Sequence, residues 1–137
     1  MSGGIGDESV LRRLILQMNA QMPSRRVSLR RLLDSAEPGY EGRDGAMYAI
    51  DPEELKMIVG IVAELGLYDV RLPIVLMADA SHEQSTWRVE GRAECAIVSR
   101  LLGREPAEAK DRIFLYAPHV AILRRRLPTA IACAFMP

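Results

Sequence analysis

Asp79-Ala80-Ser81-His82-Glu83-Gln84-Ser85 is the one stretch of this sequence that gathers catalytic residue types. A histidine with carboxylates on either side can act as a general base, and loops that follow an apolar strand often carry such groups. The same residues also make an ordinary polar turn between two strands, and chemistry has to be argued from geometry rather than from loop composition. No nucleophile elbow, HExxH, P-loop or GxGxxG accompanies the loop, so whether the chain is an enzyme stays open. His119 directly follows Pro118 at an expected helix start, where a lone imidazole serves as a surface or capping residue. A zinc site would need His82, His119, Cys95 and a carboxylate to converge, and nothing in their spacing favours that. No metal and no cofactor are expected.

The arginines are the stronger signal. Sixteen of the eighteen basic residues are arginine, and they gather at the two ends of the chain. Residues 1–33 carry a local charge of +4, residues 34–111 one of −8, and residues 112–137 one of +4, so the net charge of zero hides a dipolar pattern. Arg25, Arg26, Arg30 and Arg31 form one cluster, and Arg124, Arg125 and Arg126 the other. Guanidinium groups bind phosphate bidentately and stack on bases, which suits them to RNA. The competing use is structural: the basic ends can pair with the acidic middle, and Arg124 to Arg126 complement the negative end of a helix. Tyr40, Tyr48, Tyr68, Trp87 and Tyr116 are scattered, so no single-strand platform is legible.

These residues need a scaffold, and 137 residues suit a single domain over 1–137 that buries its own core. Aliphatic residues must fill that core, because aromatics make up only 5% of the chain. Cys95 and Cys133 lie in apolar runs and read as small buried thiols. Ser2-Gly3-Gly4-Ile5-Gly6 follows no strand, and residues 1–6 read as a flexible terminus. The start lacks a signal-peptide pattern, and no apolar run approaches the roughly 20 residues that span a bilayer. A cytoplasmic protein without a membrane partner is the expectation.

Leu11, Leu14, Ile15 and Met18 share one face of a helix predicted over about Glu8 to Gln21, ended by Pro23. Ser28 caps a second, shorter helix with Leu29, Leu32 and Leu33 as its buried stripe. Tyr40–Arg43 and Ala46–Ile50 flank Asp44-Gly45 as a hairpin. Asp51-Pro52 opens a helix that Gly66 ends. Ile74–Ala78 reads as a central strand covered on both sides, with Ser85–Glu90 as its partner. Arg92–Leu102 suits a helix, a strand remaining open there, and Gly103 would terminate it. Arg112–Tyr116 is strand-like, Pro118 opens a last helix, and Thr129–Phe135 forms a final apolar strand. The predicted class is α+β: an N-terminal helical pair and a mostly antiparallel sheet of four to six strands, with helices on one face.

Arg71-Leu72-Pro73-Ile74-Val75-Leu76, Leu101-Leu102-Gly103-Arg104, and Leu123-Arg124-Arg125-Arg126-Leu127-Pro128-Thr129 with Ala134-Phe135 resemble a family of small archaeal proteins. It is catalogued as uncharacterised protein family 0216, or domain of unknown function 61. The resemblance extends from the Leu11-Arg12-Arg13 helix onward, and implies an archaeal source and a single-domain layout while carrying over no site residue. The leading expectation is a non-enzymatic module that contacts RNA or a ribonucleoprotein through Arg25, Arg26, Arg30, Arg31, Arg124, Arg125 and Arg126. The alternatives are a small enzyme or ligand-binding protein using the Asp79–Ser85 loop, and a homo-oligomer assembled through residues 129–135, a segment whose apolar edge must be covered by its own sheet or by a second copy.

Overall fold

A computed structural model describes residues 13, 16–79, 86–104 and 110–134. Residues 16–21 are helical (α1), and the remainder of the predicted Glu8–Gln21 helix lies largely outside the described residues, as do the expected flexible terminus and residues 80–85. The elements that follow are β1 (Val27–Ser28), α2 (Leu29–Leu33), β2 (Gly39–Glu41), β3 (Met47–Ala49), α3 (Pro52–Leu65) and β4 (Arg71–Leu72). Then come β5 (Ile74–Asp79), β6 (Thr86–Glu90), α4 (Arg92–Leu101), β7 (Arg112–Tyr116), α5 (Ala117–Arg126) and β8 (Ile131–Ala134).

Local chemistry sets most boundaries. The Asp51 carboxylate accepts the Glu53 N–H at 2.9 Å, Pro52 follows where its missing donor costs nothing, and Glu53 and Glu54 face the positive helix end. Gly66 closes α3 in the left-handed region at φ 69° and returns its N–H to Val62. Ser28 caps α2 by accepting the Arg31 N–H at 3.4 Å. Residues 92–101 settle as helix rather than strand because almost every position from Ala93 to Leu101 is buried, which a central helix satisfies.

The main sheet has the order β7-β6-β5-β8. Its β7–β6 and β6–β5 ladders are antiparallel, whereas β8 runs parallel to β5 with Leu76 opposite Cys133. Helix α5 therefore carries the chain from one edge of the sheet to the other. Helices α4 and α5 pack on the same sheet, and α3 packs on α4. Two short antiparallel ribbons, β1–β4 and β2–β3, stand beside it. The core runs from Leu29 and Ile58 through Leu72, Ile74 and Leu76 to Leu115, Leu123 and Ile131. Ala130 to Cys133 are buried in this chain's own fold.

Two expectations need correction. In β5, Ile74 and Leu76 are fully buried but Val75 and Met77 only half so, because the helices cover one face of the sheet. In α2, Leu29 and Leu32 are buried while Leu33 is 50% exposed. A helix of barely more than one turn presents a narrow stripe to the core, and Leu33 falls off its edge.

Candidate functional site

The β1–β4 ribbon has only two residue pairs, Val27 with Leu72 and Ser28 with Arg71. The Leu29 N–H extends it by donating to the Val70 carbonyl at 2.8 Å. Strand alternation then decides the orientation: Leu72 is fully buried and its neighbour Arg71 is exposed. Arg71 thereby joins the first arginine cluster, although some forty residues separate them in sequence.

Arg25, Arg26, Arg31 and Arg71 line a cleft of about 410 Å³, whose lining also includes Tyr40 and Glu41 of β2. None of the four arginines forms an ion pair among the described residues. Four guanidinium groups against one carboxylate leave an excess of positive charge with forked donors that match phosphate oxygens. The Tyr40 ring is held by stacking on Tyr48 with centroids 5.5 Å apart, and burial pushes its hydroxyl above the usual tyrosine range, so it stays a donor. Tyr48 is fixed in turn by donating to Asp44 Oδ2 at 2.7 Å. That bond, with the Ala46 N–H, holds the Asp44 carboxyl below its ordinary value.

A second cleft of about 500 Å³ shares Arg26 and Arg71 with the first and adds Tyr68, Asp69, Arg92 and Glu94. Glu94 is buried and accepts the Arg71 N–H at 3.1 Å, tying β4 to the first turn of α4. This packing requires Gly91: its φ is 109°, and a Cβ there would stand 2.3 Å from Glu94 Oε2. Glu94 acts through the backbone, setting the position from which the Arg71 guanidinium reaches the cleft.

The structure brings together Arg25, Arg26 and Arg31 of the expected site residues and leaves the others elsewhere. Arg30 is exposed on the last turn of α2, outside the cleft lining. Arg124, Arg125 and Arg126 are exposed on the last turn of α5, where they complement its negative end. The Arg126 guanidinium donates to the Leu101 carbonyl at the C-terminal end of α4. The second cleft touches the other end of that helix, and ten helical residues span about 15 Å. Of the Asp79–Ser85 loop, only Asp79 is described; its carboxylate faces Arg88 at 3.9 Å on the sheet. The His119 Nδ1 accepts the Tyr116 N–H at 3.2 Å, the capping use anticipated for it.

Sequence reasoning missed Arg71, counting it with the acidic middle. The available signal was the alternation of Arg71 and Leu72 just before an apolar strand, which puts a charged and a buried residue on opposite faces of a short extended piece.

Both thiols are buried. Burial, with Glu94 nearby, pushes the Cys95 thiol up to about 11. Burial raises Cys133 as well, partly offset by the charge of Arg124. Among the described residues, no helix is long and apolar enough to cross a membrane.

The model of a protein family described as "Protein of unknown function DUF61" matches residues 8–135. A UPF0216 protein of Methanothermobacter thermautotrophicus is 32% identical over 133 residues, covering 96% of each chain. One from Methanopyrus kandleri is 32% identical over 121 residues, 88% of this chain and 80% of its own length. The solution structure of an archaeal DUF61 family protein resembles this fold with a TM-score of 0.64 and 19% identity, over 85% of this chain and 75% of the other.

Proposed function

We propose that this chain, which belongs to the DUF61 family, is a non-enzymatic binding module of the archaeal cytoplasm that engages RNA, free or within a ribonucleoprotein. The observation that carries the reading is the convergence of Arg25, Arg26, Arg31 and Arg71 on one cleft without internal ion pairs among the described residues. Four guanidinium groups around a single carboxylate repel one another, an electrostatic cost that an anionic ligand would offset. A phosphate backbone supplies such charge repeatedly, with planar oxygen pairs that match the guanidinium fork. Arg124 and Arg125, exposed on the last turn of α5, would supply a separate backbone contact.

An electrophoretic shift assay with bulk cellular RNA across a salt series tests this. Four phosphate contacts on a single strand give a slope of about −3 in log affinity against log salt. Arg26→Glu with Arg71→Glu should weaken binding and flatten that slope. Absent or salt-independent binding removes the reading.

A further inference from the structure

Gly66 ends α3 at φ 69°, and the chain then runs through Leu67, Tyr68 and Asp69 to Val70. This link is fixed at both ends. Leu67 packs against the core, and Val70 is fully buried, its carbonyl accepting the Leu29 N–H at 2.8 Å. Between these anchors Tyr68 and Asp69 are left at the surface, Tyr68 with 54% of its area exposed. The backbone beneath the ring is already ordered, so a flat ligand that settles on it has no loop to immobilise.

Both residues line the second cleft, of about 500 Å³, together with Arg26, Arg71 and Arg92. Asp69 shares this cleft with three guanidinium groups, yet among the described residues it is ion-paired with none of them. The other carboxylate of the lining, Glu94, is buried and already accepts the Arg71 N–H. The cleft thus offers guanidinium donors, an exposed ring and one open carboxylate. Free phosphate would use only the first of these and be repelled by the last, whereas a nucleotide uses all three. Arg26 and Arg71 also line the first cleft, so a strand whose phosphate lies on them can continue from one cleft into the other.

The carboxylate also selects among bases. An ionised carboxylate only accepts hydrogen bonds. Guanine presents two adjacent N–H donors on its Watson–Crick edge, from N1 and the 2-amino group. Adenine and cytosine set one donor beside an acceptor, and uracil sets one between two acceptors.

We infer that the second cleft is a guanine-nucleotide subsite for single-stranded RNA, in which the base stacks on Tyr68 with its Watson–Crick edge at Asp69 and the phosphate lies on Arg26 and Arg71; this rests on the RNA-binding reading above and gives it a strand class and a base. Duplex RNA keeps that edge paired and its bases inside, so it cannot enter.

The test measures equilibrium binding of the full chain to an oligouridine of about ten nucleotides, the same strand with one central guanine, an abasic strand of equal length, and a duplex, with 5′-GMP and 5′-UMP titrated separately. The guanine-bearing strand should bind most tightly. Tyr68→Ala should weaken it about ten- to a hundredfold and leave the abasic strand unaffected, while Tyr68→Phe, which keeps the ring, should bind as the unmodified chain does. Asp69→Asn should shrink the advantage of guanine over uridine about tenfold without weakening the oligouridine, a ratio that a merely structural role would not move. Arg26→Glu with Arg71→Glu should weaken every strand. If the strands bind with a steep salt dependence but Tyr68→Ala and Asp69→Asn change nothing, the subsite fails and the RNA reading stands. If no strand binds while 5′-GMP binds in preference to 5′-UMP and loses that binding in Tyr68→Ala, the RNA reading fails and the cleft is a site for free guanine nucleotides. Equal loss on the abasic strand, preference for the duplex, or no binding of any probe overturns the subsite.

Discussion

Glu54 and Thr129, 75 residues apart, are joined twice at one carboxylate oxygen: Glu54 Oε2 accepts the Thr129 hydroxyl at 2.8 Å and its N–H at 3.0 Å. The Ala130 N–H reaches the same oxygen at 3.1 Å. The first turn of α3 thus holds the entry to β8, and Glu54→Ala would leave these donors without an acceptor in a buried place. The expected loss is about 2–4 kcal/mol in urea denaturation, against about 1–2 kcal/mol for Thr129→Val, which removes one donor to Glu54 and the acceptor of the Asp51 N–H. Equal losses would show that the hydroxyl alone matters.

Gly91→Ala meets two obstacles together, a φ of 109° and Glu94 Oε2 at 2.3 Å from the new Cβ. A destabilisation of about 1–3 kcal/mol is expected. Because Glu94 holds the Arg71 N–H, RNA affinity should fall in the variant even at temperatures where circular dichroism shows it folded. Unchanged affinity would mean that the Arg71 guanidinium is placed independently of its backbone.

The three C-terminal arginines should separate by role. Arg126→Ala loses the hydrogen bond to the Leu101 carbonyl and should lower stability by about 1 kcal/mol, with a matching drop in melting temperature. Arg124→Ala and Arg125→Ala should leave the melting temperature almost unchanged and reduce the salt slope of RNA binding. A melting temperature lowered equally by all three would make the whole run structural.

Cys95 has a pH signature. Its folded thiol keeps its proton up to about 11, against about 9 when unfolded. The unfolded state therefore ionises first as pH rises. The stability contributed by the neutral buried thiol is complete below pH 9 and is lost between about 9 and 11. Cys95→Ala should flatten that part of the stability profile, and native Cys95 should resist alkylation at neutral pH. Rapid labelling of the folded protein would contradict its burial.

Legibility in the sequence followed the range of the interaction. The limits of α3 were readable because Asp51, Pro52 and Gly66 act within a turn of themselves. The hairpin was readable from Asp44-Gly45 for the same reason, with Gly45 at φ 81°. The parallel seating of β8 on β5 was not, since the apolar run Ile131–Ala134 carries no mark of which strand it joins or in what direction. The arginine cleft was half legible: Arg25, Arg26 and Arg31 are neighbours in sequence, whereas Arg71 arrives through the β1–β4 pairing. Phe114 and Tyr116 share one face only once residues 112–116 are known to be a strand whose other face packs against helices.

Pro73 is the sole residue between β4 and β5, so Arg71 in the cleft and Ile74 in the sheet are joined by a link with no slack. Adding or removing one residue there would turn Arg71 inward and Leu72 outward, or slip the register of β5 against β6 and β8 together. The Asp44-Gly45 hairpin tip is solvent-exposed, and although Asp44 holds Tyr48, the tip links no two sheets. Length variation among natural homologues should accordingly gather at the hairpin tip and avoid residues 71–74, and a library of single-residue insertions selected for soluble expression should reproduce that contrast.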